Sequence, residues 1–421
     1  MLHHAVAKET SHTTKVRVVF DASAKTDNGL SINNLLMVGP TIQEKLFSHL
    51  IRFRTYVYVI SSDIEKMYRQ VVLDKKDRRF QRILWRENEE VKTFHLNTLT
   101  FEVSSSPFFV IRTMHKLADD ESHTLPRAAE IIKNHMYVDD LLLGANTIED
   151  ARAIRNEIIE LLNKRGFSIR QWASNDLRII NDLSIEAVHK NLTLNSDRSL
   201  KTLGVSWNTS DDKIYYSAHP IEIARTITKR KILSEIAQIF IPIGLMGPIV
   251  LYAKKLMQDV WRTGVHWDES VPQSIYTMWS EFTKQLKNMR RISFDRRILI
   301  NEYQDIQFHG FCDASNIGYG ACIYIRSVGK NGNIISNLVC SKSHVAPLKT
   351  ISIPRLELCG ALLLTQLYAE IAKIMQLLPS KIIFWSDSTI ALHWIKTAPY
   401  LLKTYVANRV AAISKLSGSV E

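Results

Sequence analysis

The sequence is short of the two residues that interrupt regular structure, with 15 glycines and 11 prolines in 421 residues. That leaves no room for a long disordered tail or a low-complexity linker, and the length allows two or three domains with substantial cores. Cysteine is scarcer still. Cys312, Cys322, Cys340 and Cys359 all lie in the last third and have neither Cys-x-x-Cys nor Cys/His finger spacing. This excludes a zinc finger and a disulfide-rich scaffold, and reads as buried free thiols of an intracellular protein. No apolar run reaches the roughly 18 residues that would suggest a membrane span. The longest stretch, Ile236 to Tyr252, is broken by Pro242, Gly244, Gly247 and Pro248. Met1-Leu2-His3-His4 opens without the basic-then-apolar pattern of a secretory signal. The expectation is an intracellular, cytoplasmic protein with no membrane partner. Acidic residues are outnumbered, 42 against 54 Lys and Arg, for a net charge of +12. A nucleic acid is a natural partner for that charge, although a merely soluble basic protein has the same balance.

What is present centres on His135-Met136-Tyr137-Val138-Asp139-Asp140-Leu141-Leu142-Leu143-Gly144. Two adjacent carboxylates between short apolar runs predict two strands meeting at a tight turn, with Val138-Asp139-Asp140 near its tip. Taken alone, Asp-Asp is ordinary turn chemistry, and a solvated hairpin tip explains it. Neighbouring residues of an extended chain point to opposite faces, so the pair cannot hold one ion alone, and a third carboxylate must come from another strand. Thr55 to Ser62 is an apolar strand that ends on Asp63. Asp63 is that third acid, or equally a helix cap for Ile64 to Tyr68.

The surrounding pattern is mixed. Val16 to Asp21, Val71 to Leu73, Gln81 to Trp85 and Val91 to Leu96 read as strands. Pro40 to Phe53 has helical spacing, with Ile42, Leu46, Phe47, Leu50 and Ile51 on one face and Thr41 as its cap. Pro107 to Leu117, Pro126 to Asn134 and Ile148 to Arg165 are further helices, the last ended by Gly166. This is an α+β domain with its acids on one sheet. Thr228 to Lys255 and Ser274 to Leu286 are mainly helical, with Trp261, Trp267 and Trp279 as packing anchors. Beyond Gln307 comes a three-strand meander, Phe308 to Ser315, Tyr319 to Ile325 and Leu338 to Ser341. A helix from Pro354 to Ala372 and a strand from Lys381 to Asp387 follow it. Asp313, Glu357 and Asp387 thus form a second set of three acids, from strand, helix and strand.

Carboxylates crowded into a low-dielectric site stay ionised together only with cations between them. Few hard oxygen ligands suit Mg²⁺, with Mn²⁺ as its substitute. Two such ions about 4 Å apart serve in-line phosphoryl transfer, the chemistry of polymerases and nucleases.

Several motifs in order carry a resemblance. Tyr137-Val138-Asp139-Asp140 with Asp63-Ile64-Glu65-Lys66-Met67-Tyr68 resembles the paired catalytic motifs of retroelement reverse transcriptases. Arg17-Val18-Val19-Phe20-Asp21-Ala22-Ser23, Asn33-Asn34-Leu35-Leu36-Met37-Val38-Gly39-Pro40 and Arg82-Ile83-Leu84-Trp85 resemble the polymerase polyprotein of the BEL/Pao class of long-terminal-repeat retrotransposons. Lys229-Arg230-Lys231-Ile232-Leu233-Ser234 through Gly247-Pro248, and Pro354-Arg355-Leu356-Glu357-Leu358, extend it over nearly the whole chain. The resemblance implies an α+β right-hand polymerase of fingers, palm and thumb, then a helical connection and a truncated α/β ribonuclease H-like domain. The expected limits are 1–210 for fingers and palm, 211–300 for thumb and connection, and 301–421 for the last domain. It implies that Asp63, Asp139 and Asp140 hold two Mg²⁺ ions, and that Asp313, Glu357 and Asp387 are the first three acids of ribonuclease H, again with two metals. Arg17 would meet the nucleotide triphosphate. Tyr68 falls where the family has a ring that excludes a ribose 2′-hydroxyl, or is an ordinary core aromatic. Leu203-Gly204-Val205-Ser206-Trp207 resembles the primer-grip hairpin. The implied partners are primed RNA or DNA template, RNA–DNA hybrid and deoxynucleoside triphosphates.

The sequence departs from the family at three places. Glu102 stands where the family has Gly, close to template and nucleotide. The chain stops at Glu421 before the family's fourth ribonuclease H acid, and its Met1 lies inside the usual fingers region. With no protease, zinc knuckle or integrase, it reads as a fragment or decayed copy of a longer polyprotein. The expectation is an RNA-directed DNA polymerase with an inactive ribonuclease H-like domain, and the alternative is a dead remnant that only binds nucleic acid.

Overall fold

The apolar runs that end on acids become strands of two separate sheets. The computed structural model describes residues 1–7, 16–194, 199–215, 226–286, 288 and 292–418. In chain order the first elements are β1 (Leu2–Ala7), β2 (Val16–Asp21), α1 (Ile32–Leu35), α2 (Leu46–Phe53), β3 (Tyr58–Ile64), α3 (Met67–Gln70), β4 (Arg82–Glu87) and β5 (Glu90–His95). Next come α4 (Ser106–Glu121), α5 (Pro126–His135), β6 (Met136–Tyr137), β7 (Asp140–Ala145), α6 (Ile148–Asn163), β8 (Ile169–Ser174) and α7 (Lys190–Leu194). The chain divides into two compact units, Met1–Lys45 with Tyr58–Leu194, and Leu46–Val57 with Asn195–Glu421.

In the first unit an antiparallel sheet of order β6-β7-β3-β8 carries Asp63 and Asp140. Its core is formed by Ile60, Ile64, Leu141 and Leu143 from the strands, with Val110, Met114, Ile132, Ile158 and Leu161 from α4, α5 and α6. These helices follow the predicted periodicities, and Thr147 caps α6 through its side chain. The hairpins β1-β2 and β4-β5 are separate two-stranded sheets. Two expectations need correction. Residues 71–73 form a single bridge, Val72 to Thr98, and not a strand, because only one short partner segment runs beside them. Helix α2 starts at Leu46, not near Pro40. Gly39, at φ +83°, turns the chain, and residues 41–45 run without helical bonding while the Gln43 side chain accepts a hydrogen bond from the Val138 amide at 3.2 Å.

The second unit begins with α2 and continues through β9 (Ser199–Thr202), β10 (Val205–Asn208), β11 (Lys213–Tyr215), α8 (Lys229–Ala237), α9 (Gly247–Arg262), α10 (Gln273–Leu286) and β12 (Ser293–Asp295). It ends with β13 (Tyr303–Ala314), β14 (Gly318–Gly329), β15 (Ile334–Val345), α11 (Ile353–Met375), β16 (Lys381–Trp385), α12 (Thr389–Lys396) and α13 (Thr404–Ser417). One sheet has the order β12-β11-β10-β9, and the other β15-β14-β13-β16, with β16 parallel to β13. Helix α11 is long and apolar enough to cross a membrane by length and composition, which the broken apolar run of the sequence reading did not register. It is the core helix of this unit, with Leu356, Leu358, Leu363, Leu364, Leu367 and Ile371 buried.

Two buried arginines explain why α2 belongs here. The Arg54 guanidinium donates to the carbonyls of Asp295, Arg296, Leu338 and Val339 at 2.6–3.1 Å. Arg296 donates to the carbonyls of Phe53, Tyr56 and Val57 and pairs bidentately with Asp212 at 2.6 and 2.7 Å. Burial lowers the Arg54 pKa to about 10, yet the ring of carbonyl acceptors keeps it charged. Of the three tryptophans expected as anchors only Trp279 is buried, at 1% exposure. Trp261 and Trp267 are 51% and 42% exposed, because their indoles flank the Lys229 ammonium at 5.8 and 5.0 Å.

Candidate active site

The first acid set is built by strand register. β3 and β7 pair so that Asp63 stands directly opposite Asp140, and Tyr137 pairs with Asp140 across the β6-β7 hairpin. Val138 and Asp139 are the two turn residues. Val138 has φ +56°, the sign that a II′ turn requires at its first position and one that a β-branched residue rarely adopts. The turn is held open to the acids by two bonds, Val138 amide to Gln43 and Ile64 amide to the Asp139 carbonyl at 2.9 Å. Strain of this kind persists only where surrounding structure fixes it.

Burial raises all three carboxyls, and like charge adds to it at Asp63 and Asp140. Asp63 is pushed up to about 6 by desolvation and then by Asp139 and Glu65. Asp140 is pushed up to about 7 by desolvation and then by Asp139 and Asp63, and desolvation raises Asp139 too. Such a set of desolvated hard oxygen donors, with Asp139 disfavouring the charge of both Asp63 and Asp140, fits a divalent cation. Tyr68 is buried with its ring 4.6 Å from that of Phe101, and its phenol is raised by burial and by Asp139, so it adjoins the acids. Arg17 lies exposed on β2 opposite Val6 and is not among the groups that shift the three carboxyls.

Residues given no role in the sequence support this region. Asn33 donates to Ser23 Oγ and to the Glu102 carbonyl, both at 2.9 Å, and accepts from the Ser104 amide at 2.9 Å. It thereby holds Glu102 at φ +67°, a left-handed conformation that glycine adopts most easily. Asn33 opens a motif that carries the family resemblance, though its bonds to Ser23, Glu102 and Ser104 are not foreseen there, and Gln43 falls inside the segment expected to be helical.

The second acid set draws closer. Asp313 on β13, Glu357 in α11 and Asp387 after β16 bring one carboxylate oxygen each within 4.8 Å of one another. Among the described residues no other His, Cys, Asp and Glu cluster does so. Glu357 is buried and its Oε2 has no hydrogen-bond partner, an acceptor left free for a cation. Desolvation first, then Asp313 and Asp387, raise its pKa. Asp313 and Asp387 are exposed and open onto a groove of about 680 Å³. Tyr319, Lys342, Phe311, Trp385 and the start of α9 also line it. The resemblance of Leu203–Trp207 to a hairpin is matched by β9-β10, where Leu203 (φ +47°) and Gly204 (φ +79°) have the φ signs of a I′ turn.

Comparisons with known proteins agree with this geometry. Residues 8–204 match the reverse transcriptase (RNA-dependent DNA polymerase) family, and residues 228–388 match the Pao retrotransposon-like RNaseH-like domain. The chain joins a reverse transcriptase domain to a Pao-type RNase H-like domain. The pairing is consistent with a BEL/Pao retrotransposon origin. No curated protein matches the sequence. Among solved structures, a foamy viral protease-reverse transcriptase dRH in complex with double-stranded DNA is similar at 14% identity and TM-score 0.60, over 98% of this chain and 62% of that one. A foamy viral protease-reverse transcriptase with an RNA/DNA hybrid has 15% identity and TM-score 0.56, over 99% and 48%. One with double-stranded DNA has 16% and 0.58, over 100% and 76%. This chain thus spans about half to three quarters of the length of those relatives. The likeness covers both the reverse transcriptase domain and the RNase H-like domain.

Proposed function

We propose that the reverse transcriptase domain is an RNA-directed DNA polymerase that extends a primer on an RNA or DNA template. The observation that carries this reading is the Asp63–Asp140 register beside the Asp139 turn, inside a domain matched to reverse transcriptases. Asp63, Asp139 and Asp140 would hold Mg²⁺, which supplies the Lewis acidity that activates the primer hydroxyl and offsets charge on the leaving phosphate. The protein's own part is positional. The strained turn presents Asp139, the ladder fixes Asp63 against Asp140, and Tyr68 on Phe101 forms a wall beside them where a ribose would lie. Arg17 would contact the triphosphate. In the RNase H-like domain Asp313, Glu357 and Asp387 would hold the same class of cation against an RNA–DNA hybrid, with the bare Glu357 Oε2 as one ligand.

A second reading, a remnant that binds nucleic acid without catalysis, is favoured by Glu102. Its exposed carboxylate sits on a left-handed backbone where its charge repels phosphates. Primer extension on an RNA template with Mg²⁺ and deoxynucleotides separates the two. The polymerase reading expects synthesis that Asp139→Asn/Asp140→Asn abolishes, and the remnant reading expects none from either folded protein.

A further inference from the structure

The turn that presents Asp139 is tied from two sides, and one tie comes from outside the sheet. The Ile64 amide that donates to the Asp139 carbonyl belongs to β3 and comes with the strand pairing. The Val138 amide instead donates to the side-chain oxygen of Gln43 at 3.2 Å, a residue 95 positions earlier and in no helix or strand. In a two-residue hairpin the amide of the first turn residue lies outside the ladder, so its partner must come from elsewhere. Gln43 follows the Gly39 turn, where any side chain would strike the Phe108 ring of α4. Val138 is the residue that needs holding. Its φ of +56° is one that glycine enters freely and a β-branched residue avoids. Its half-buried side chain packs against the core of the first unit, which a glycine could not do.

A side-chain amide suits this task. Its oxygen accepts the Val138 N–H, and unlike a carboxylate it brings no further negative charge to Asp63, Asp139 and Asp140. The peptide group that Gln43 fixes lies just ahead of Val138, so its tilt sets the direction of the Asp139 carboxyl relative to the Asp63–Asp140 pair. We propose that Gln43 is a positioning residue of the first acid cluster: by bonding the Val138 amide it keeps Asp139 aimed at the cation that Asp63 and Asp140 share, and so sets how tightly that cation is held. This rests on the reading of the three carboxylates as the metal site of a polymerase. Gln43 acts through the turn and on no reacting atom. A glycine at position 138 would keep the same turn without the bond, which separates this role from ordinary packing.

The test is calorimetric titration of Mn²⁺ into the full chain carrying Glu357→Gln, which weakens the second cluster, alongside primer extension by the same proteins. Gln43→Met keeps the side chain's length and loses its carbonyl oxygen. It is expected to weaken Mn²⁺ binding about tenfold or more and to lower kcat while the deoxynucleotide KM stays. Gln43→Glu keeps an acceptor oxygen and adds charge, and is expected to bind Mn²⁺ at least as tightly as the parent. In Gln43→Met/Val138→Gly the glycine takes the positive φ unaided, and part of the lost affinity is expected to return. Should Gln43→Met fail to fold, Gln43→Asn, one methylene shorter, is measured in its place with the same expectations. Parental Mn²⁺ affinity and kcat in the folded single variant, or a double variant no better than the single one, would overturn the positioning role and leave the polymerase reading standing. A Glu357→Gln chain that neither binds Mn²⁺ nor extends a primer would overturn both.

Discussion

The two acid clusters are assembled by different construction. In the reverse transcriptase domain two strands and a strained turn bring Asp63, Asp139 and Asp140 together from one sheet, and burial raises all three pKa values. In the RNase H-like domain a strand, a helix and a strand end converge, with only Glu357 buried and the oxygens within 4.8 Å. The first cluster is one of desolvated carboxyls, Asp139 raising both Asp63 and Asp140. The second is one of proximity, with one bare oxygen. The sites should therefore answer differently to pH, to metal and to substitution.

The largest effect expected separates the units that carry them. Arg296→Met takes the guanidinium from Asp212, which keeps the Trp207 indole N–H, and removes the Arg296 donors from the carbonyls of Phe53, Tyr56 and Val57, and should destabilise the second unit by about 3–5 kcal/mol. Denaturant unfolding followed by Trp fluorescence checks this, and an unchanged midpoint would show the buried pair to be dispensable. Next, Glu357→Gln should weaken Mn²⁺ binding at the second site at least about tenfold while leaving the first site's binding unaltered, read by calorimetry. Equal loss at both would mean that the sites are not independent.

A smaller effect concerns pH. Asp63 and Asp140, at about 6 and about 7 when folded against 3.8 for a free carboxyl, are more easily protonated in the folded chain. Their contribution to stability is complete below about pH 4 and is lost as pH rises through 6 and 7. Metal-free protein should lose melting temperature over that window, and Mg²⁺ at pH 8 should return it. Asp140→Asn should raise the metal-free Tm at pH 8 by about 2–4 °C, and a fall instead would show that the carboxylates are not repelling. The smallest effect is at Glu102→Gly. Relief of the left-handed backbone should stabilise by about 1 kcal/mol, and removal of the carboxylate should raise primer extension. No gain in extension from a folded variant would remove the objection that Glu102 raises.

Much of both sites was legible because acids at strand ends announce themselves. Asp140 begins an apolar strand, Asp63 and Asp313 stand one residue from the end of one, Asp387 follows one by two residues, and the expectation of a third carboxylate came from strand alternation alone. The convergence of Glu357 required only a helix of the right length after the meander. What the sequence hid depends on burial that periodicity does not encode. Arg54 and Arg296 look like surface charges until carbonyls surround them. Trp261 and Trp267 look like core residues until Lys229 lies between them. The segment 40–45 keeps helical spacing, yet it follows the Gly39 turn, carries the Gln43–Val138 bond and has no helical bonding.

The central claim is that Asp139 and Asp140 catalyse templated synthesis, and the most direct measurement is extension of a DNA primer on an RNA template with Mg²⁺. Parent, Asp139→Asn/Asp140→Asn and Asp313→Asn would be compared side by side. The account predicts synthesis by the parent and by Asp313→Asn, and a loss of about 10³-fold or more in the double variant. Silence from the folded parent, or synthesis that survives the double substitution, would contradict it.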